Sequence, residues 1–144
     1  MLEKYIEDNI QVVDSISTWQ ESIKLASQKL LEKGYITDAY VDAMIENVNE
    51  NGSYIVIMPK VALPHARPKD MVNNTTLSIL KVNEGVMYPE NKNIWLVIVL
   101  AAIDSDAHLE IISELSEMLV DESQIEKLLN ATSVQKVKEA LEMV

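Results

Sequence analysis

The sequence predicts an α/β fold: a single small mixed β-sheet covered by helices on both faces. Three observations carry this. Apolar, β-branched runs at residues 54–58, 75–82 and 94–102 are interleaved with segments whose apolar residues recur at helical spacing. The run 94–102 is apolar on both faces, which is what a strand covered from both sides requires. The chain has 144 residues and no repeat or linker, which fits one domain, 1–144, with a substantial core.

Each element has a local reason. Residues 10–13 are a short apolar run, read as a strand. Thr18 and Glu21 then have capping-box spacing, so the Thr oxygen can accept from the backbone of Glu21. Trp19, Ile23, Ala26 and Leu30 follow one helical face, and Gly34 closes that helix. A second helix begins after Thr37, with Tyr40, Val41, Met44, Ile45 and Val48 inward, and a turn at 49–53 contains Gly52. Residues 54–58 read as a strand by β-branched content.

A proline-bracketed turn carries His65, and a polar loop continues through Asn73 and Asn74. The strand 75–82 has apolar residues on both faces and belongs inside the sheet. Residues 83–93, with Gly85 and Pro89, read as a connecting loop before the strand 94–102. An acid or hydroxyl in the run Asp104-Ser105-Asp106 should cap the next helix, whose inner stripe is Leu109, Ile112, Leu115, Ser116 and Leu119. Residues 121–129 and 133–143 read as further helices.

Composition removes several functions. With no Cys there is no disulfide, thiolate nucleophile or thiolate metal site. The charged start lacks the apolar core of a signal peptide, and the longest apolar run, 94–103, is too short to span a bilayer. These features read as a soluble cytoplasmic protein. The net charge of −11 disfavours nucleic acid and anionic membrane surfaces, which need a cationic footprint. It permits docking to a basic protein and also simply keeps the chain soluble.

The chemistry centres on two histidines. His65 lies between Pro64 and Pro68, in a stiff segment that disfavours helix, with Arg67 two residues on. His108 lies just after the central strand, at the start of a helix. In open α/β sheets, ligands bind beyond the carboxyl ends of strands, where helix N-termini favour anions. Brought together, a nucleophilic imidazole, a donor imidazole, a guanidinium and a helix end would suit phosphoryl transfer. Plainer readings compete: His108 as a surface residue at a helix start, and Arg67 as a solvated side chain. A zinc site lacks local spacing and a third ligand, and Arg67 would oppose the cation. There is no hydrolase elbow, and three glycines leave no phosphate loop for a nucleotide kinase.

The run Val61-Ala62-Leu63-Pro64-His65-Ala66 resembles the phosphorylation signature of the mannitol/fructose-type enzyme IIA domains of the bacterial phosphoenolpyruvate-dependent sugar phosphotransferase system. Ala107-His108-Leu109-Glu110 is similar to that family's second histidine segment. The likeness covers most of the chain. His-Ala-Arg-Pro at 65–68 and Asp-Ser-Asp-Ala-His-Leu-Glu at 104–110 look most like the ascorbate-type branch.

The resemblance implies a cytosolic phosphotransferase with a phosphohistidine intermediate. His65 would accept a phosphoryl group from the histidine-phosphocarrier protein and pass it to an enzyme IIB, with a membrane enzyme IIC coupling transfer to carbohydrate uptake. His108 would bind the phosphoryl oxygens. No metal or organic cofactor is implied, and no direct membrane insertion. A regulatory relative, whose phosphorylation state controls binding to a target protein, would use the same histidine. Two departures stand out. Pro59-Lys60 replaces a glycine usual in the family, and Val48-Asn49-Glu50 offers no counterpart to an upstream arginine of mannitol-type members. Arg67 is expected to take over that charge.

Overall fold

The computed structural model describes residues 2–68 and 70–143. In chain order these form α1 (Glu3–Ile6), β1 (Ile10–Val13), α2 (Trp19–Glu32), α3 (Asp38–Asn51), β2 (Val56–Met58) and β3 (Val61–Ala62). Then come β4 (Thr76–Tyr88), a 3-10 turn (Pro89–Asn91), β5 (Lys92–Ala101), α4 (Ser105–Leu119), α5 (Glu122–Asn130) and α6 (Val134–Ala140). The strands make one mixed sheet in the order β1-β4-β5-β3-β2. β4 and β5 are antiparallel, while β1 joins β4 and β3 joins β5 in parallel.

The predicted layering holds. β5 sends Val97, Val99 and Ala101 into a core with α2 and α3. Its alternate residues Leu96, Ile98 and Leu100 enter a second core with α4, α5 and α6. This alternation is the period of two that a doubly covered strand needs.

The helix ends follow the sequence signals. Thr18 Oγ1 accepts from the Glu21 N–H at 3.2 Å, capping α2. Past its end, Gly34 takes φ 73°. There the Gly34 N–H donates to Leu31 O and the Tyr35 N–H to Leu30 O, the paired bonds of a Schellman motif.

Several expectations need correction. Residues 83–93 are not a loop. β4 continues to Tyr88 and β5 starts at Lys92, with Val86 opposite Ile94 and Tyr88 opposite Lys92. The register shifts between Lys81 and Val86, and the Trp95 and Leu96 N–H groups both donate to Lys60 O, a local bulge. Beyond these irregularities the hairpin arm turns Val86, Tyr88 and Ile94 into the core with α2 and α3. Polar residues at 83–84 and 90–93 concealed an arm whose inner face is apolar.

The stripe of α4 is Ile111, Leu115 and Met118, whereas Leu109 is 65% exposed. The capping residue Asp104 sets the helix phase, and that phase turns Leu109 outward. α3 runs on to Asn51, past the start of the expected turn at 49. The strand expected from residue 54 begins at Val56, and the helix expected over 133–143 is α6, Val134–Ala140. The short strand β3 and the one-turn α1 carried no periodicity long enough to read.

Candidate functional site

β3 and β5 are parallel, so their carboxyl ends lie at the same edge of the sheet. β3 leads directly to His65, and β5 leads through Asp104 into α4 and His108. Two histidines 43 positions apart in sequence are thereby brought together, with ring centroids 5.7 Å apart. Arg67, which is exposed, lines the same cleft of about 990 Å³, along with Tyr54, Asn47 and Ser105.

The segment carrying His65 is pinned along its backbone. The Leu63 N–H donates to Ile55 O at 2.8 Å, and the Leu100 N–H donates to Pro64 O at 3.0 Å. The Ala66 N–H donates to the Tyr40 hydroxyl at 3.1 Å, and that hydroxyl donates to Leu100 O at 2.7 Å. Asn47 Nδ2 donates to His65 O at 3.2 Å. Prolines on either side limit φ, and these bonds remove most of the remaining freedom.

The His65 ring has one defined partner: Nδ1 lies 2.7 Å from Leu63 O. A carbonyl only accepts, so Nδ1 carries the proton. In the neutral ring Nε2 then holds the lone pair. Tyr54 stands edge-on to the same ring, with centroids 6.0 Å apart.

His108 is in the first turn of α4, where Asp104 Oδ1 accepts from the Ala107 N–H at 2.8 Å. Burial, and then the nearby charge of His65, push its pKa below the ordinary 6.5. A neutral His108 can donate one hydrogen bond to an anion without a permanent charge at a helix N-terminus. Burial also pushes the Tyr40 hydroxyl up to about 12, which keeps it protonated and able to bridge.

The structure thus gathers all three residues expected at the site, His65, His108 and Arg67. It adds Tyr40, Asn47 and Tyr54, which sequence reasoning missed. By its spacing alone Tyr40 is simply one more inward residue of α3. A buried tyrosine hydroxyl needs a partner, and that was the available signal. Asn47 and Tyr54 gave no local signal, because their partner is nearly a strand-turn-strand unit away in sequence. Among the described residues, no group of three His, Asp or Glu is placed to hold a metal ion. Among them too, no helix is long and apolar enough to cross a membrane.

Comparison with known proteins agrees with this geometry. The family model for the phosphoenolpyruvate-dependent sugar phosphotransferase system, EIIA 2, matches residues 5–144. The mannitol-specific cryptic phosphotransferase enzyme IIA component of Escherichia coli K12 is 40% identical over 128 residues, 88% of this chain and 87% of that protein. The ascorbate-specific EIIA component of the same strain is 26% identical over 137 residues, 93% of this chain and 89% of that protein.

Among solved structures, the mannitol-specific cryptic enzyme IIA CmtB of Escherichia coli superposes with a TM-score of 0.92 at 36% identity, over 99% of both chains. Enzyme IIA mannitol of Escherichia coli, in complex with phosphorylated enzyme IIB mannitol, gives 0.80 at 31% identity over 94% of this chain and 95% of that one. Sequence and architecture agree: this chain belongs to the EIIA 2 family of phosphotransferases of the phosphoenolpyruvate-dependent sugar phosphotransferase system.

Proposed function

We propose that the chain is a single-domain cytoplasmic phosphoryl relay. His65 takes the group from the phosphohistidine of a histidine-phosphocarrier protein and delivers it to an enzyme IIB. A membrane enzyme IIC then couples the transfer to carbohydrate uptake. The observation that carries this reading is the His65 ring: Nδ1 is tied to Leu63 O and Nε2 is left as the nucleophile beside His108. The Nε2 lone pair attacks phosphorus in line. The donor's P–N bond breaks, and its electron pair returns to the donor imidazole.

His108 donates to the equatorial oxygens, and the Arg67 guanidinium and the start of α4 offset their charge. Arg67 occupies the role an upstream arginine plays in mannitol-type relatives. The solved complex of a related enzyme IIA with phosphorylated enzyme IIB supports enzyme IIB as the acceptor. The greater similarity of the mannitol-type relative makes mannitol the first cargo to assay, with ascorbate second.

Intact-mass analysis after incubation with phosphoenolpyruvate, enzyme I and the phosphocarrier protein tests the reading. The expected result is one acid-labile phosphoryl group, absent in His65→Ala. His108→Ala should slow onward transfer about tenfold or more while the protein stays folded. Full labelling of His65→Ala would refute the site. Phosphorylation without any transfer to an enzyme IIB would instead favour a regulatory protein.

A further inference from the structure

The tip of the β4–β5 hairpin lies at the opposite end of β5 from the turn that leads to His108. Its arm lies over the core with α2 and α3, and its tip meets the end of α3. At that tip Glu90 and Asn91 both take left-handed backbone, with φ 67° and 59°. Two successive non-glycine residues in that region are disfavoured, so the tip depends on its contacts for its shape.

The contacts are specific. Glu90 Oε1 accepts from the Ser53 N–H at 2.9 Å and from the Ser53 hydroxyl at 3.1 Å. Ser53 is 7% exposed, so this carboxylate satisfies a buried backbone donor at the end of a helix. A Cβ on Gly52 would fall on Glu90 Oε1, so the chain approaches this carboxylate too closely for a side chain. The next residue, Tyr54, is the one whose ring stands edge-on to His65.

We propose that Glu90 is a positioning residue for His65. By anchoring Ser53 it fixes where Tyr54 stands, and Tyr54 holds the His65 ring in the plane that sends Nε2 into the cleft. Glu90 touches no reacting atom and acts through Tyr54. The kinetic arm of this proposal rests on the phosphoryl-relay reading.

The experiment compares Glu90→Ala, Glu90→Gln, Tyr54→Ala and the double variant Glu90→Ala/Tyr54→Ala. Phosphoryl uptake from the phosphocarrier protein is measured across donor concentrations, and the His65 ring resonances are followed by NMR. Glu90→Ala should lower the saturated rate about tenfold with little change in the donor concentration at half-saturation. Glu90→Gln, which keeps an acceptor oxygen, should stay within about twofold of wild type. The double variant should be no slower than Tyr54→Ala alone, as two residues acting through one contact require. Full rates in a folded Glu90→Ala, or additive losses in the double variant, would overturn the proposal. If the wild-type protein takes up no phosphoryl group, the relay reading fails and NMR alone decides. His65 ring shifts that move in both Glu90→Ala and Tyr54→Ala uphold the positioning, and unmoved shifts overturn it.

Discussion

Tyr40→Phe is the sharpest probe of how the fold holds the His65 segment. The substitution removes one oxygen from a fully buried side chain and leaves the ring in place. Three contacts go with it: the bond accepted from the Ala66 N–H, the short one donated to Leu100 O, and the longer approach to Ala66 O at 3.3 Å. On a strand the N–H and C=O of one residue point the same way, and the Leu100 N–H already points at Pro64 O. The Leu100 carbonyl therefore faces the His65 segment, and in the variant it loses this donor while staying buried.

The Ala66 bond contributes about 1 kcal/mol, and stranding a buried carbonyl costs about 2 kcal/mol more. The expected loss is about 3 kcal/mol, roughly a hundredfold in the unfolding equilibrium. In urea, with a slope of about 1.5 kcal/mol/M, the midpoint should drop by about 2 M without a change of slope. The alkaline limb gives an independent check. Folding raises the Tyr40 pKa from 10 to about 12, so its contribution is whole below pH 10 and is lost as pH climbs through about 12. That part of the decline should be missing in Tyr40→Phe. A midpoint within about 0.3 M of wild type, or an unchanged alkaline limb, would refute the idea that this hydroxyl latches the His65 loop.

Three further outcomes follow from the same geometry. His108 should titrate by NMR below 6.5, and its midpoint should rise in His65→Ala yet stay under 6.5, because burial is the larger cause. The neutral form is the one favoured by folding, so this contribution to stability is present above pH 6.5 and is lost as pH falls through the folded pKa. Gly85→Ala should destabilise by about 2 kcal/mol or more, measured by thermal unfolding. Its φ is 78°, and the new methyl would fall on the Trp95 indole. Asp104→Ala should cost about 1 kcal/mol in urea unfolding and slow phosphoryl transfer, since it uncaps the helix that carries His108.

Much of this was legible in the chain. The strands that read most clearly, 75–82 and 94–102, are apolar on both faces, and they are the two that the sheet buries most completely. α2 starts where Thr18 marks it, and α4 starts just after Asp104, one of the candidate caps in the run 104–106. The proline bracket marked His65 and Arg67 as candidates, and the structure places both on one cleft with His108. What escaped has a common cause. β3 has two residues, too few for a period, yet its parallel pairing with β5 is what unites the histidines. The hairpin arm was hidden because its outer face is polar and its inner face is spaced across a bulge. Glu90 and Tyr54 act on residues 37 and 11 positions away, and single-sequence patterns do not report such distances.

The carbonyl of Leu63 has one more effect. By occupying Nδ1 it resists a flip of the imidazole and leaves the lone pair of the neutral ring on Nε2. If His65 relays a phosphoryl group as proposed, donor and acceptor must meet that same nitrogen one after the other. On that reading exchange is a shuttle with a free, phosphorylated carrier between visits, each visitor competing with the other for the empty or loaded form. Double-reciprocal plots at several acceptor concentrations should accordingly be parallel.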